Sequence, residues 1–234
     1  MKQRLTFAAT RDALQGGLIV SCQPVDKGPM DRTDIVVAMA QAAVAGGASG
    51  LRIEGAERVR AVAEGVSVPL VGIIKRDLPE SPVRITPYIE DVIALAAAGA
   101  SIIAIDATER ARPIPTRTLL AEIHSTGCLA MADCSTLEDA RAMADLGCEF
   151  LASTLSGYVG GSIPAEPDLK LVRQMAEAGF CTIAEGRYNS PVLARAALEA
   201  GAHSVTVGSA ITRIENITSW FNEELSGGKK VPQQ

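Results

Sequence analysis

The stretch Ala98-Gly99-Ala100-Ser101-Ile102-Ile103-Ala104-Ile105-Asp106 closes a helical pattern on a glycine, opens an apolar run three residues later and ends that run on an acid. A glycine just past a helix supplies the left-handed conformation that caps it, so its use directly before an apolar run marks a helix-to-strand turn. The same device recurs at Ala45-Gly46-Gly47-Ala48, Leu146-Gly147-Cys148, Ala178-Gly179-Phe180 and Ala200-Gly201-Ala202. Eight apolar runs follow one another: Leu18–Gln23, Gly50–Ile53, Leu70–Lys75, Ile102–Asp106, Leu129–Asp133, Phe150–Ser153, Thr182–Glu185 and Ser204–Gly208. Segments of helical period lie between them, among them Asp31–Ala45, Ile89–Ala98, Leu137–Leu146 and Pro191–Ala200. Strict alternation implies parallel strands joined by right-handed crossovers. Eight such units predict an α/β fold, a single closed (β/α)8 TIM barrel, with an open doubly wound sheet as the alternative.

The 234 residues fit one barrel over 1–226, with no composition shift to divide them, and a disordered tail is expected at 227–234. An N-terminal helix carrying Leu5, Phe7, Ala8 and Leu14 is expected to close the barrel floor, and Asn216–Ser226, with Trp220 and Phe221, to form the last outer helix. Only 3% of residues are aromatic, so Ala, Val, Ile and Leu must fill the core. A net charge of −5 disfavours nucleic acid or an anionic membrane as partner, which requires any anionic ligand to be held locally. The N-terminus shows charges and no apolar core of signal-peptide length, and no run is long enough to cross a bilayer. The five cysteines form no Cys-x-x-Cys pair and are read as reduced core thiols of a cytoplasmic protein.

Barrel enzymes work at the end where the strands finish. There the runs end on Gln23, Arg52 or Glu54, Lys75, Asp106, Asp133, Thr154, Glu185 and Gly208, an unusually polar set. Alternation puts Lys75 on one face with Val71 and Ile73, Asp133 with Leu129 and Met131, and Glu185 with Cys181 and Ile183. A desolvated lysine loses basicity and becomes available as a base or a nucleophile. Asp133 also has a structural reading, since Ser135 or Thr136 is placed to cap the next helix. Glycines in Ala184-Glu185-Gly186-Arg187 and Val207-Gly208-Ser209-Ala210 let backbone approach a ligand where barrels of this kind hold phosphate, and Arg187 and Arg213 lie nearby. The loop from Thr154 to Glu166 is long enough to be a lid bearing Tyr158, and the connection from Arg76 to Pro87, stiffened by Pro79, Pro82 and Pro87, is expected to wall the pocket. With two histidines, His124 and His203, and no acid cluster, neither a metal nor a cofactor is expected.

The stretches Gly17-Leu18-Ile19-Val20-Ser21-Cys22-Gln23-Pro24, Val71-Gly72-Ile73-Ile74-Lys75-Arg76-Asp77, Ser81-Pro82-Val83-Arg84-Ile85-Thr86-Pro87, Ala132-Asp133-Cys134-Ser135-Thr136, Thr154-Leu155-Ser156-Gly157-Tyr158, Ala184-Glu185-Gly186-Arg187 and Val207-Gly208-Ser209-Ala210-Ile211-Thr212-Arg213 resemble N-acetylmannosamine-6-phosphate 2-epimerase. The resemblance implies a phosphorylated N-acetylhexosamine as substrate, no cofactor, and a role in amino-sugar and sialic-acid catabolism. It suggests a homodimer. It also implies Lys75 and Glu185 as the catalytic pair, Gln23, Arg52 and Asp133 as sugar contacts, and Gly186, Arg187, Gly208, Ser209 and Arg213 as phosphate contacts. Ala107 departs from the pattern, standing where a glycine is expected in the turn after the fourth strand, which bears on Asp106 and Thr108. Epimerisation needs a base at C2 of the sugar; neutral Lys75 suits that role, with Glu185 as donor, relay or orienting partner. One-base and two-base routes both remain open on these residues. A Schiff-base aldolase and a non-catalytic sugar-phosphate sensor are the alternative readings.

Overall fold

The computed structural model describes residues 6–227. Eight parallel strands close on themselves in sequence order: β1 Leu18–Cys22, β2 Gly50–Glu54, β3 Leu70–Ile73, β4 Ile102–Asp106, β5 Leu129–Asp133, β6 Phe150–Ala152, β7 Thr182–Glu185 and β8 Ser204–Val207. The helices are α1 Phe7–Leu14, α2 Thr33–Ala45, α3 Ala56–Gly65, α4 Ile89–Ala98, α5 Thr116–Ser125, α6 Leu137–Asp145, α7 Leu169–Glu177, α8 Pro191–Glu199, α9 Ser209–Thr212 and α10 Ile214–Leu225. The alternation seen in the sequence is thus a (β/α)8 barrel, and the open sheet is ruled out by the pairing of β1 with β8.

The helix-to-strand device works as expected. At Gly99 the backbone takes φ 101°, and its N–H turns back onto the carbonyls of Leu95 and Ala96 to end α4. Within each strand alternate residues divide two cores. Outward residues such as Leu51, Ile53, Ile103 and Ile105 pack under the helices, whereas Ile19, Val71, Ile73, Ile102, Met131, Phe150 and Ile183 fill the barrel. Each such aliphatic side chain, fully buried, contributes roughly 1.5–3 kcal/mol.

The floor is closed by α1. Thr6 caps this helix by accepting the N–H of Ala9, and Leu14 and Phe7 join the barrel-interior cluster, Phe7 meeting Phe150 edge-on at 5.5 Å between ring centres. Gly50 makes room, since a methyl there would come within 2.7 Å of Leu14 Cδ2. His203 lies on this floor side, its Nε2 at 2.7 Å from the carbonyl of Arg11, and His124 meets Glu149 at 3.2 Å. Leu5, expected in the floor helix, and the expected tail apart from Gly227 lie outside the described residues.

Several ladders stop short of the runs read from sequence. Strand β1 ends at Cys22, β3 at Ile73, β6 at Ala152 and β8 at Val207, so Gln23, Lys75 and Gly208 sit just beyond the hydrogen-bonded barrel. Apolar patterning tracks burial, and burial continues past the point where neighbouring strands diverge into loops and stop pairing.

Cys22, Cys128, Cys134 and Cys148 are buried and Cys181 is half-buried, all as free thiols. Burial pushes the Cys22 thiol up to about 12 and that of Cys181 to about 11, and raises Cys134 and Cys148 as well.

Candidate active site

A cavity of about 500 Å³ opens at the strand-end mouth, lined by Gln23, Arg52, Lys75, Glu185, Gly186, Arg187, Gly208, Ser209 and Arg213 among others. Nine of the ten predicted site residues therefore meet in one place. The tenth, Asp133, is fully buried and lies behind Arg52 and Thr154. Its two oxygens accept from Arg52 Nη1 at 3.1 Å and Nη2 at 2.6 Å, and Thr154 Oγ1 donates to Oδ1 at 2.6 Å. Both oxygens being occupied, Asp133 holds Arg52 in this structure and does not face the cavity. The cap expected next to it is also present: Thr136 accepts the N–H of Asp139, whose carboxylate in turn takes the N–H of Thr136.

Arg52 extends from the middle of β2 into the barrel and is 2% exposed. Its Nη1 also reaches Glu185 Oε2 at 3.1 Å. Burial disfavours the guanidinium charge, but Asp133 and Glu185 more than restore it. Two carboxylates facing one arginine leave an excess of negative charge in a dry place. It is relieved at Glu185, whose carboxyl is raised to about 7 by burial, against the pull of Arg52 and with the push of Asp133. Ser153, directly after β6, fixes the main chain of Glu185 through its Oγ, accepting its N–H at 3.1 Å and donating to its carbonyl at 3.0 Å.

Lys75 lies past the end of β3. Burial lowers its pKa; Glu54 opposes this most strongly, Arg213 and Arg52 reinforce it, and Asp26 opposes it more weakly. Glu54, at the end of β2, is therefore the carboxylate that most favours the lysine's charge. Its Oε1 also receives the main-chain N–H of Lys75 at 3.5 Å. The connection after Lys75 walls the cavity with Pro82, Arg84 and Ile85, as expected, but it does so by folding back as a short antiparallel return in which Ile85 bridges to Lys75. Arg76 anchors this connection to α4 through the buried Asp91 and lies 5.7 Å from the ring centre of Tyr88.

On the opposite wall, Gly186 and Arg187 both have positive φ, at 109° and 63°. The Arg187 side chain donates to the carbonyls of Ser156 at 2.6 Å and Glu166 at 2.9 Å, and its guanidinium lies over the Tyr158 ring at 5.2 Å. Arg187 thus pins the Thr154–Glu166 loop and brings Tyr158 to the cavity edge, a role that spacing could not reveal. Arg213 donates to the carbonyl of Gln23 at 2.9 Å, and Gln23 donates to Ser21 Oγ at 2.7 Å.

Asp106 is buried beneath Arg110, which it meets at 2.6 Å, and also accepts from the hydroxyl of Thr108 at 2.6 Å. Ala107 is not among the residues with positive φ, so the methyl at this turn costs no backbone strain. Among the described residues no cluster of His, Cys, Asp and Glu is placed to hold a metal, and no helix is long and apolar enough to cross a membrane.

Comparison with known proteins agrees with the barrel fold and identifies the family. A family model described as "Putative N-acetylmannosamine-6-phosphate epimerase" matches residues 36–227. Relatives named "Putative N-acetylmannosamine-6-phosphate 2-epimerase" include one from Pasteurella multocida, 54% identical over 97% of this chain and 99% of its own length. Another from Photobacterium profundum is 61% identical over 91% of each. Among solved structures, the N-acetylmannosamine-6-phosphate 2-epimerase from Clostridium perfringens superposes with a TM-score of 0.90 at 36% identity, covering 96% of this chain and 100% of that one. With a polar barrel mouth of this composition and relatives matched nearly end to end, the chain belongs to the N-acetylmannosamine-6-phosphate epimerase family.

Proposed function

We propose that this chain is an isomerase that interconverts N-acetylmannosamine 6-phosphate and N-acetylglucosamine 6-phosphate by removing and returning the proton at C2. The observation that carries the reading is the pairing, in one cavity, of a lysine whose basicity is lowered by burial with a glutamate that holds a proton near neutrality. In the open-chain sugar the C1 carbonyl acidifies the C2–H bond. Neutral Lys75 takes that proton, the electron pair moves onto the C1 oxygen, and a proton returned on the other face gives the epimer. Arg52 is a fixed positive charge beside the acid, placed to favour the developing enolate oxygen.

The phosphate is assigned to the Gly186-Arg187 and Gly208-Ser209 segments with Arg213, which line the side of the cavity formed by β7 and β8. Gln23 and Arg52 are assigned to the sugar, and Asp133 acts on it through Arg52. The same proposal includes a cytoplasmic place in amino-sugar and sialic-acid catabolism and a homodimer. Support for the homodimer comes from α10, which buries none of its residues and leaves Ile214, Phe221 and Leu225 exposed.

Proton NMR of the purified protein with N-acetylmannosamine 6-phosphate tests the activity: the gluco epimer should grow in without any addition, and an unchanged spectrum rejects it. In deuterated water, deuterium at C2 shows that the returned proton has exchanged with solvent; its absence is compatible with internal return and does not by itself name the donor. Because a buried strand-end lysine also suits Schiff-base chemistry, borohydride with substrate should leave Lys75 unmodified, and a reduced adduct there would favour an aldolase.

A further inference from the structure

We propose that Thr86 is a positioning residue for Lys75, acting through the main-chain N–H and carbonyl of the preceding Ile74; this rests on the reading of Lys75 as the base. The barrel itself does not hold the lysine. Strand β3 pairs with β2 only as far as Ile73 and with β4 only as far as Gly72, so Lys75 projects beyond both ladders. What holds it is the return segment. The carbonyl of Ile74 accepts the N–H of Thr86 at 2.7 Å, and the N–H of Ile74 donates to Thr86 Oγ1 at 3.3 Å. Ile85 forms the antiparallel bridge to Lys75 and lends its carbonyl to the N–H of Asp106 at 3.2 Å, and Arg76 N–H reaches the Arg84 carbonyl at 2.9 Å. The return segment thus ties the end of β3 to the end of β4.

Thr86 is an unusual residue to find in that position. It is fully buried and has φ 46°, a conformation that β-branched residues seldom adopt. Pro87 follows, and a proline restricts the backbone of the residue before it. The backbone and side chain of Thr86 both turn onto Ile74, satisfying a half-buried main-chain pair that lies beyond the ladders of β3. Glycine would take this φ freely but would leave the N–H of Ile74 without its acceptor; threonine satisfies both ends. The consequence falls on the amine of Lys75. Its charged surroundings come from separate elements, Glu54 and Arg52 on β2, Arg213 after α9 and Asp26 after β1, so a small displacement changes the balance among them.

The test compares Thr86→Val and Thr86→Gly, which delete the acceptor, with Thr86→Ser, which keeps it. Lys75 is followed directly by carbon NMR of the protein with its lysines 13C-dimethylated, the signal being assigned by its loss in Lys75→Arg. In Thr86→Val and Thr86→Gly the Lys75 titration should move up toward the ordinary lysine value, and kcat for epimerisation should fall about tenfold with KM within about twofold. Thr86→Ser should titrate and turn over like the wild type. The proposal is overturned if both deletions titrate and turn over like the wild type, if Thr86→Ser falls as far as they do, or if KM alone changes. Glycine relieves the backbone conformation, so a folding failure of Thr86→Val leaves the comparison with Thr86→Gly intact. If the wild type does not epimerise the sugar phosphate, the proposed function is lost, while the Lys75 titration still decides whether Thr86 sets the lysine's surroundings.

Discussion

Arg52 and Asp133 meet through two parallel N–H donors at 3.1 and 2.6 Å, with side chains 2% and 0% exposed. Breaking such a pair strands a buried charge. Asp133→Ala is therefore expected to lower unfolding stability by about 3 kcal/mol, since Glu185 offsets only part of the loss. Urea unfolding checks this, and a change below about 1 kcal/mol would show that the pair is not structural.

Lys75→Ala should reduce kcat by about a thousandfold, within the range that a positioned base contributes. Binding of N-acetylmannosamine 6-phosphate should stay measurable by calorimetry. Full turnover in this variant removes Lys75 from the chemistry.

The raised Glu185 carboxyl predicts a pH dependence of definite sign. The folded protein binds this proton more tightly than the unfolded chain, so the associated stability is complete below the ordinary glutamate value and is lost as pH rises through about 7. Glu185→Gln should flatten that part of the stability profile. Activity that depends on the protonated acid should decline over the same interval, and a wild-type profile with no alkaline limb near neutrality would contradict the assignment.

Arg187→Ala should raise KM by about tenfold, the scale of one lost charge-assisted contact, with a smaller effect on kcat. The same change should speed proteolysis within 154–166, because the carbonyls of Ser156 and Glu166 lose their shared donor. An unchanged KM with an unchanged cleavage rate would leave Arg187 without either role.

Phe221→Glu on the exposed face of α10 should convert a dimer to single chains in sedimentation velocity. A wild-type protein that already sediments as one chain refutes the homodimer.

The barrel was legible because helix caps and apolar runs are local signals: Gly99 and the run at 102–106 mark a boundary that hydrogen bonding then respects. Parity is how Lys75, Asp133 and Glu185 were read as inward-facing, while Arg52 was noted only for its place near a strand end. Parity gives direction but not partnership. It could not tell that Asp133 would spend both oxygens on Arg52 and Thr154, or that Glu54 would be the carboxylate felt most by Lys75. The return of 76–87 depends on long-range pairing between Lys75 and Ile85, and three prolines in sequence announce stiffness without announcing where the chain goes. Arg187 lines the mouth, and its hold on two loop carbonyls accompanies a positive φ that neighbouring letters do not encode.

The buried thiols have a practical corollary. With four cysteines enclosed and burial pushing the half-buried Cys181 up to about 11, the native thiols offer little to a thiol reagent. A cysteine introduced at Tyr158, on the rim of the mouth, would then be the preferred target for a maleimide fluorophore, which would report whether that rim moves when substrate binds, in the otherwise native sequence.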